Sequence, residues 1–302
     1  MQNRMPNLWT LGGLSIPELL RRTILESWRD DVFGQGGRMA FYQFLAIFPT
    51  LLIAFTLVTH TPHLTQHLRN SLHDLSAQIF PNQVSQLFQG MIADFKQRPR
   101  FGLRLLSVFA AAVWAAHNGT WAMIWGLNRA YEVEESRSWW NLSITIVLLT
   151  VCLIAMVCIA LLLLFTSAFL QEHVHGSAFL LRALEWLTVA VCLYFSFAVL
   201  YRFAPNVRDH AIRWSTPGAL CALILWLAST FAAQIYFDHI NDYTRSYGPL
   251  NGVVMLLLWL FLSNGALLIG GEMNSEIQKA ESGQGRSKRS DAPGERHAAR
   301  RP

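Results

Sequence analysis

The sequence predicts an all-α membrane protein, a polytopic bundle of six transmembrane helices, on three observations. First, 53% of the 302 residues are hydrophobic and only 14% are charged, which leaves too little polar surface to cover a soluble globule of this length. Second, the apolar residues form continuous runs rather than the short alternating patterns of membrane β-strands. Third, the runs reach the roughly 17–25 residues that cross a bilayer as a helix. They lie at about 39–59, 103–127, 139–170, 180–201, 214–237 and 249–271.

Residues 1–38 form a predicted N-terminal segment with one amphipathic helix. Ser15 and Glu18 have the spacing of a capping box at its start. Beyond them Leu20, Ile24 and Trp28 recur at helical spacing, while charged residues take the other side. We expect this helix to lie in the membrane interface. Docking on the protein's own cytoplasmic face explains the pattern equally well.

Two further segments lie outside the predicted spans. In residues 60–101, apolar positions recur every three or four residues on either side of Pro81, which predicts two amphipathic helices in an external segment. We expect them to cap the bundle, with the outer surface of the bilayer as the alternative. Residues 278–302 are rich in Gly, Ser and Arg, which predicts a disordered basic tail. No aromatic residues accompany these charges, so no nucleic-acid partner is expected.

The distribution of basic residues predicts the orientation of the membrane domain, residues 39–277. With the N-terminus in the cytoplasm, 17 of the 24 Lys and Arg residues fall on the cytoplasmic side and seven on the other. Basic loops are retained in the cytoplasm, so this orientation is favoured. Both termini are therefore expected to be cytoplasmic.

Five residues of the predicted spans form a candidate polar path between helices. Polar side chains at membrane depth usually face the interior of a bundle, because they are costly in lipid. The proline removes a backbone hydrogen bond and predicts a kink, which also serves simple packing. For the histidine, a neutral hydrogen-bonded ring is the alternative to a proton relay. The candidates are Gln43, Pro49, His117, Asn118 and Asn128.

The second and sixth spans are expected to leave the membrane side by side. A stripe of Ala and Gly residues along the second span allows close helix approach and predicts a central position for that helix. Arg129 follows this span and Glu272 follows the sixth, at the same predicted depth. Both charges are costly in lipid, so we expect an ion pair between Arg129 and Glu272 that holds the two helix ends together.

No pattern in the sequence indicates a catalytic, metal or cofactor site. The four cysteines lie in apolar runs without CxxC spacing. The GQGG run at residues 34–37 has no following Lys and Ser or Thr, so it is interpreted as a flexible link before the first span rather than a phosphate loop. Neither a nucleophile elbow nor a zinc-protease motif is present. We therefore expect no metal ion and no cofactor.

Three blocks of the sequence resemble the YihY/BrkB family of bacterial inner-membrane proteins. They are RMAFYQFLAIFP at residues 38–49, GLNRAYEVEESR at 126–137 and YGPLNGVVMLLLWLFLSNGALLIGGEMNSE at 247–276. The resemblance implies a multi-pass helical protein of the bacterial cytoplasmic membrane. It also implies that the pattern residues shared with the family matter here, namely Phe41, Tyr42, Tyr131, Tyr247, Gly248, Gly271 and Asn274.

Family members were historically labelled ribonuclease BN, a label that the residues themselves do not support, because no set of acid, base or metal-binding groups is evident. A transport or lipid-handling role of unassigned substrate is the expected function, since intramembrane polar residues are functional candidates. A membrane-bound enzyme and a membrane scaffold are the alternatives. Membrane lipids are the expected partners, and a homo-oligomer stays open.

Overall fold

The computed structural model of the chain describes residues 8–59, 103–173, 178–207, 216–239 and 250–290. Over these residues the fold is all-helical, as predicted, with no strand. The predicted external segment 60–101 lies outside them. A short 3-10 helix, Leu8–Gly13, precedes seven α-helices: α1 Ile16–Arg29, α2 Val32–Thr59, α3 Leu103–Ala130, α4 Trp139–His173, α5 Ala178–Phe203, α6 Pro217–His239 and α7 Leu250–Ser290.

Four of the predicted spans correspond to helices that are long and apolar enough to cross a membrane. Within the described residues these are Trp139–Ala160 in α4, Ala183–Phe203 in α5, Pro217–Tyr236 in α6 and Gly252–Glu281 in α7. The helices α2 and α3 have 28 residues each. At about 42 Å in length they also exceed the thickness of a bilayer core. The count of six spans stays a prediction.

Two helix boundaries differ from the prediction. Helix α2 begins at Val32, so the glycine run at residues 34–37 is helical and not a flexible link. Gly36 faces α7 there, where an added Cβ atom would lie at an ordinary van der Waals distance of 3.5 Å from Phe261 O and Gly265 N. Helix α7 continues to Ser290, well past residue 277, because no proline interrupts the chain before residue 293. Residues 278–290, which were predicted to belong to a disordered tail, are therefore helical, and residues 291–302 lie outside the described residues.

The central helix of the bundle is α7. It contacts α1, α2, α3, α6 and the 3-10 helix. Of its candidate span, 56% is buried, against 11% of the span in α4, which lies at the periphery. The small-residue stripe predicts a central α3 instead. That helix does pack closely on α2, but a stripe of small residues allows one close contact and does not determine how many neighbours a helix has.

Helix α1 forms where it is predicted and is amphipathic in an unexpected sense. Leu19, Thr23 and Ser27 are its buried residues, so a partly polar face packs against the protein. The apolar face predicted for the interface is exposed, with Ile16, Leu20, Ile24 and Trp28 all more than 40% accessible. The capping box is not formed, since the Ser15 side chain makes no cap hydrogen bond. Glu18 instead bonds Arg21 and Arg22, which lower its pKa to about 2.

Candidate functional site

The candidate site lies at one end of the bundle, here called the polar end. It comprises the α1–α2 turn at residues 30–31, the α3–α4 loop at 131–138, residues 204–207 after α5, the start of α6 and residues 272–281 of α7. Side-chain contacts join these segments to one another, namely Arg129 with Asp30, Lys279 with Glu132, Arg137 with Ala204 and Asn274 with Gly218.

Helices α6 and α7 cross there in direct backbone contact. A Cβ atom on Gly218 would overlap the carbonyl oxygen of Gly270, and one on Gly270 would overlap the carbonyl oxygen of Gly218 and the hydroxyl of Tyr201. The Tyr201 hydroxyl donates a hydrogen bond of 2.6 Å to the carbonyl oxygen of Leu267. The Gly218 N–H, at the start of α6, donates one of 2.9 Å to Asn274 Oδ1. Glycine at both positions is therefore required for this close approach.

Glu272 is the unusual residue of the polar end. Its side chain is 0% exposed, and neither carboxylate oxygen has a hydrogen-bond partner among the described residues. A buried charge without partners is strongly unfavourable. Other buried polar atoms in the same region also lack partners within the described part of the chain: Thr23 Oγ1, Ser27 Oγ, Asp30 Oδ2, Tyr131 OH and Asn274 Nδ2. We call Glu272 and these five residues the Glu272 pocket.

The register of α1 along α7 explains why these groups lie together. Gly12 lies against Ile277 and Ala280, and Leu19 packs with Met273 and Ile277. Further along, Gly36 lies against Gly265. The chain from residue 12 to residue 36 therefore runs antiparallel to α7. Thr23 and Ser27, on the same buried face as Leu19, come beside the turn of α7 that carries Glu272.

Tyr131 closes the pocket on the α3 side. It follows α3, is 6% exposed, and lies close enough to Asn274 to interact without reaching hydrogen-bond geometry. Burial raises the pKa of the Tyr131 phenol, so the hydroxyl group keeps its proton. Tyr131 thus adds a neutral hydroxyl to the pocket.

A hydrogen-bond network beside the pocket fixes the α3–α4 loop to the end of α5. Asn128 Nδ2 donates to Glu135 Oε2 at 2.9 Å, and the Asn206 N–H donates to Asn128 Oδ1 at 2.8 Å. Arg137 bonds Glu135 through two nitrogens and donates to the carbonyl oxygen of Ala204. Burial raises the pKa of Glu135, but the bonds from Arg137 and Asn128 outweigh it, and the net pKa is lowered. This network is structural in kind, because every member has a partner.

The predicted pair between Arg129 and Glu272 is not formed. Arg129 Nε lies 3.1 Å from Asp30 Oδ1, and 55% of the arginine side chain is exposed. Helices α3 and α7 touch at Gly126 and Gly271, so Glu272 is turned inward to α1 while Arg129 is turned outward. The two side chains therefore point in different directions.

The five residues of the candidate polar path are not brought together. Gln43 exchanges two hydrogen bonds, of 3.1 and 2.8 Å, with the buried Asn264 of α7. His117 is exposed on the outside of α3, and Asn118 donates to the carbonyl oxygen of Trp114 in its own helix. Asn128 belongs to the loop network. Pro49 lies inside α2, and its side chain lies outside the described part of the structure.

The residues of the family pattern divide into two groups. Tyr131, Gly271 and Asn274 are buried at the polar end. Phe41 is 54% exposed and stacks edge-on against the half-buried Tyr42, away from the pocket. Tyr247 and Gly248 lie outside the described residues.

Several residues that make buried polar contacts in the bundle were not predicted from the sequence. Asn264 is an amide within an apolar run and carried the same signal as Gln43. Thr23 and Ser27 were not predicted, because their small hydroxyl side chains lie on the polar side of α1 and are as common on exposed helix faces as on buried ones. Tyr201 gave no signal, since a tyrosine near the end of a span is usually an interfacial residue. Within the described residues, no three His, Cys, Asp or Glu side chains form a group that could hold a metal ion.

Comparisons with known proteins agree on one family. Residues 23–295 match the family described as virulence factor BrkB. The chain is 28% identical over 252 residues to YfkH of Bacillus subtilis (strain 168), which is named as ribonuclease-like, covering 81% of this chain and 90% of YfkH. It is 23% identical over 257 residues to a UPF0761 membrane protein of Pseudoalteromonas atlantica, covering 83% of this chain and 82% of that protein. No solved structure matches.

Proposed function

The chain belongs to the virulence factor BrkB family of membrane proteins, and from that premise we propose that it transports a polar solute or handles lipid, working through the Glu272 pocket. In this proposal the protein spans the bacterial cytoplasmic membrane six times, with both termini in the cytoplasm. The bacterial relatives named as membrane proteins support the proposed location in a bacterial membrane. The excess of Lys and Arg on one side supports the orientation.

One observation carries the proposal: Glu272 is completely buried on an apolar helix, and its carboxylate has no hydrogen-bond partner in the described structure. An ionisable group at membrane depth is costly, and it is a functional candidate by default. Structural carboxylates of this chain look different, since Glu135 bonds both Arg137 and Asn128. Glu272 therefore has the features of a working group rather than a structural one.

Of the two roles, lipid handling is favoured by the position of α1. This helix covers the pocket with Thr23 and Ser27 and presents Ile16, Leu20 and Ile24 on its exposed side. Because α1 runs along α7, this exposed apolar face can contact lipid beside the polar end of the bundle. A displacement of α1 would therefore open the pocket toward headgroups.

Two other functions are each supported by one observation. The relative from Bacillus subtilis is named as ribonuclease-like, which supports a membrane-bound enzyme. The direct contact between Gly218 and Gly270 supports a packed scaffold, because a close crossing leaves no room for a path at that point.

The test is lipid movement in proteoliposomes. Purified protein is reconstituted with phosphatidylethanolamine, phosphatidylglycerol and a trace of fluorescently labelled phosphatidylethanolamine, and dithionite reports the label that reaches the outer leaflet. We expect the wild type to bring nearly all of the label to dithionite, Glu272→Gln to fall to the protein-free level, and Glu185→Gln to match the wild type. Glu185 is the matched control, because it is also buried but lies toward the other end of α5.

Two results would refute the proposal. Equal bleaching in wild-type and protein-free liposomes would exclude lipid handling. Normal activity of Glu272→Gln would exclude the Glu272 pocket as the working site. Cleavage of an RNA oligonucleotide by the purified protein, abolished by a single carboxylate substitution, would establish the enzyme alternative instead.

A further inference from the structure

We propose that the Glu272 pocket binds one monovalent metal cation, with Na⁺ as its expected occupant. The inference rests on the proposed function, because it takes this pocket as the working site and names the ion that the site holds. Its test measures binding and not lipid movement, so that either proposal can fail alone.

The charges around Glu272 determine how much positive charge the pocket needs. Within the described chain, the acidic groups that act on Glu272 are Asp30 of the α1–α2 turn, Glu26 of α1 and Glu276 of α7, and the basic group is Lys279. Each acidic neighbour has a basic partner: Asp30 lies 3.1 Å from Arg129, Glu26 lies 2.6 Å from Arg29 and Glu276 lies 2.8 Å from Lys279. Tyr131 is neutral, as described above. Lys279 also bonds Glu132, but the Glu132 side chain is 55% exposed, so its charge is screened by solvent. Among the groups that are mostly buried, one negative charge, that of Glu272, is left uncompensated, and a single positive charge would balance it.

The lysine is not available to provide that charge. Lys279 Nζ bonds Glu276 at 2.8 Å and Glu132 at 3.0 Å, and hydrogen bonds to both hold it there. Arg129 is likewise held at Asp30 on the outer surface. The compensating charge must therefore come from outside the described protein groups, as a bound ion or a proton.

The unpartnered atoms of the pocket favour a hard metal ion. Apart from one amide nitrogen they are oxygens: the Glu272 carboxylate, one oxygen of Asp30, and the hydroxyls of Thr23, Ser27 and Tyr131. Carboxylate and hydroxyl oxygens suit hard cations, and no imidazole or thiolate in the pocket favours a transition metal. A divalent ion would leave one positive charge in excess, because only one carboxylate is uncompensated.

A proton is the competing occupant, and the hydroxyl groups decide against it. Protonation would neutralise Glu272, but a protonated carboxyl group has a single O–H to donate, so it can partner the oxygen of only one of the buried hydroxyls of Thr23 and Ser27, which are 1% and 5% exposed. A cation between α1 and α7 would be bound by the carboxylate and by hydroxyl oxygens of α1 together. It would thus satisfy both sets of orphaned atoms at once.

The test is the thermal stability of the purified protein in detergent, with NaCl replaced stepwise by choline chloride at constant ionic strength. A ligand that binds only the folded state raises the Tm in a saturable way, here by about 5 °C at a hundred times its Kd. We expect this rise for the wild type and for Glu185→Gln, and its loss in Glu272→Gln. Ser27→Ala should shift the midpoint to higher Na⁺ without removing the rise.

Each other outcome has a clear meaning. A wild-type Tm that is indifferent to Na⁺ but changes with pH, with the pH response lost in Glu272→Gln, would replace the cation with a proton and overturn the proposal. A response to Mg²⁺ alone would overturn the monovalent assignment. If Glu272→Gln does not fold, the Na⁺ midpoints of wild type and Ser27→Ala decide, and equal midpoints would refute the site. Na⁺ binding without lipid movement would leave the cation site intact and refute only the proposed function.

Discussion

The contact between α6 and α7 predicts that two glycines of one helix respond in opposite ways to the same substitution. At Gly270 a methyl group would overlap the carbonyl oxygen of Gly218 and the Tyr201 hydroxyl, and would lie 2.8 Å from Ala222 Cβ. At Gly265, five residues earlier, no atom lies within 4 Å of the added carbon. Comparing alanine substitutions at Gly265 and Gly270 therefore distinguishes the cost of overpacking from the gain in helix propensity.

The expected magnitudes follow from these surroundings. Overpacking costs about 1–3 kcal/mol, and displacement of Tyr201 from Leu267 costs about 1 kcal/mol more. Replacing glycine with alanine inside a helix returns about 1 kcal/mol. Gly270→Ala should thus destabilise the protein by about 1–3 kcal/mol, whereas Gly265→Ala should be neutral or stabilise it by up to about 1 kcal/mol.

Unfolding monitored by tryptophan fluorescence in detergent measures the difference. At about 2–4 °C per kcal/mol for chains approaching this size, the two midpoints should differ by on the order of 5 °C, with Gly270→Ala the lower. A Gly270→Ala variant as stable as Gly265→Ala would refute the direct backbone contact. Tyr201→Phe is the internal control, because it removes the hydroxyl bond without adding volume.

Two further predictions concern the polar contacts. Because the pKa of Glu135 is lowered in the folded protein, its contribution to stability is fully present above its unfolded pKa and is lost as the pH falls through its folded pKa. Glu135→Gln and Arg137→Met should therefore each reduce the fall of the Tm at acidic pH. An unchanged fall in both variants would refute this assignment. Gln43→Leu and Asn264→Leu should each leave the other buried amide without its hydrogen-bond partner. The double variant should therefore lose less stability than the two single variants lose together, as measured by a thermal double-mutant cycle. Strictly additive losses would show that the pair is not formed.

The positions of several helices could be predicted from the order of apolar and polar residues along a single segment. The long apolar runs of α4 and α7 located those helices, and the spacing of Leu20 and Ile24 located α1. The unusual ending of α7 at Gly271 and Glu272 identified the region that proves most distinctive in the structure. Length, periodicity and the cost of charge in lipid are properties of a single segment, and these predictions needed nothing more.

Directions around a helix could not be predicted in the same way. Arg129 and Glu272 were predicted to form a pair, but the contact between Gly126 of α3 and Leu268 of α7 turns them apart. The identity of the central helix failed for the same reason, since burial depends on how many neighbours surround a helix. The Glu272 pocket could not be predicted from either helix alone, because Thr23 of α1 indicates a site only when it is known to lie beside the buried carboxylate of α7.

The antiparallel run of α1 along α7 also sets an order of assembly. Residues 12–36 are synthesised before residues 264–281, yet Leu19 is buried against Met273 and Ile277. Chains fold from the N-terminus as they are synthesised, so α1 cannot bury Leu19 in this way until α7 has been made. The pocket around Glu272 therefore cannot form before α7 is inserted, and any chain shortened before α7 lacks it altogether.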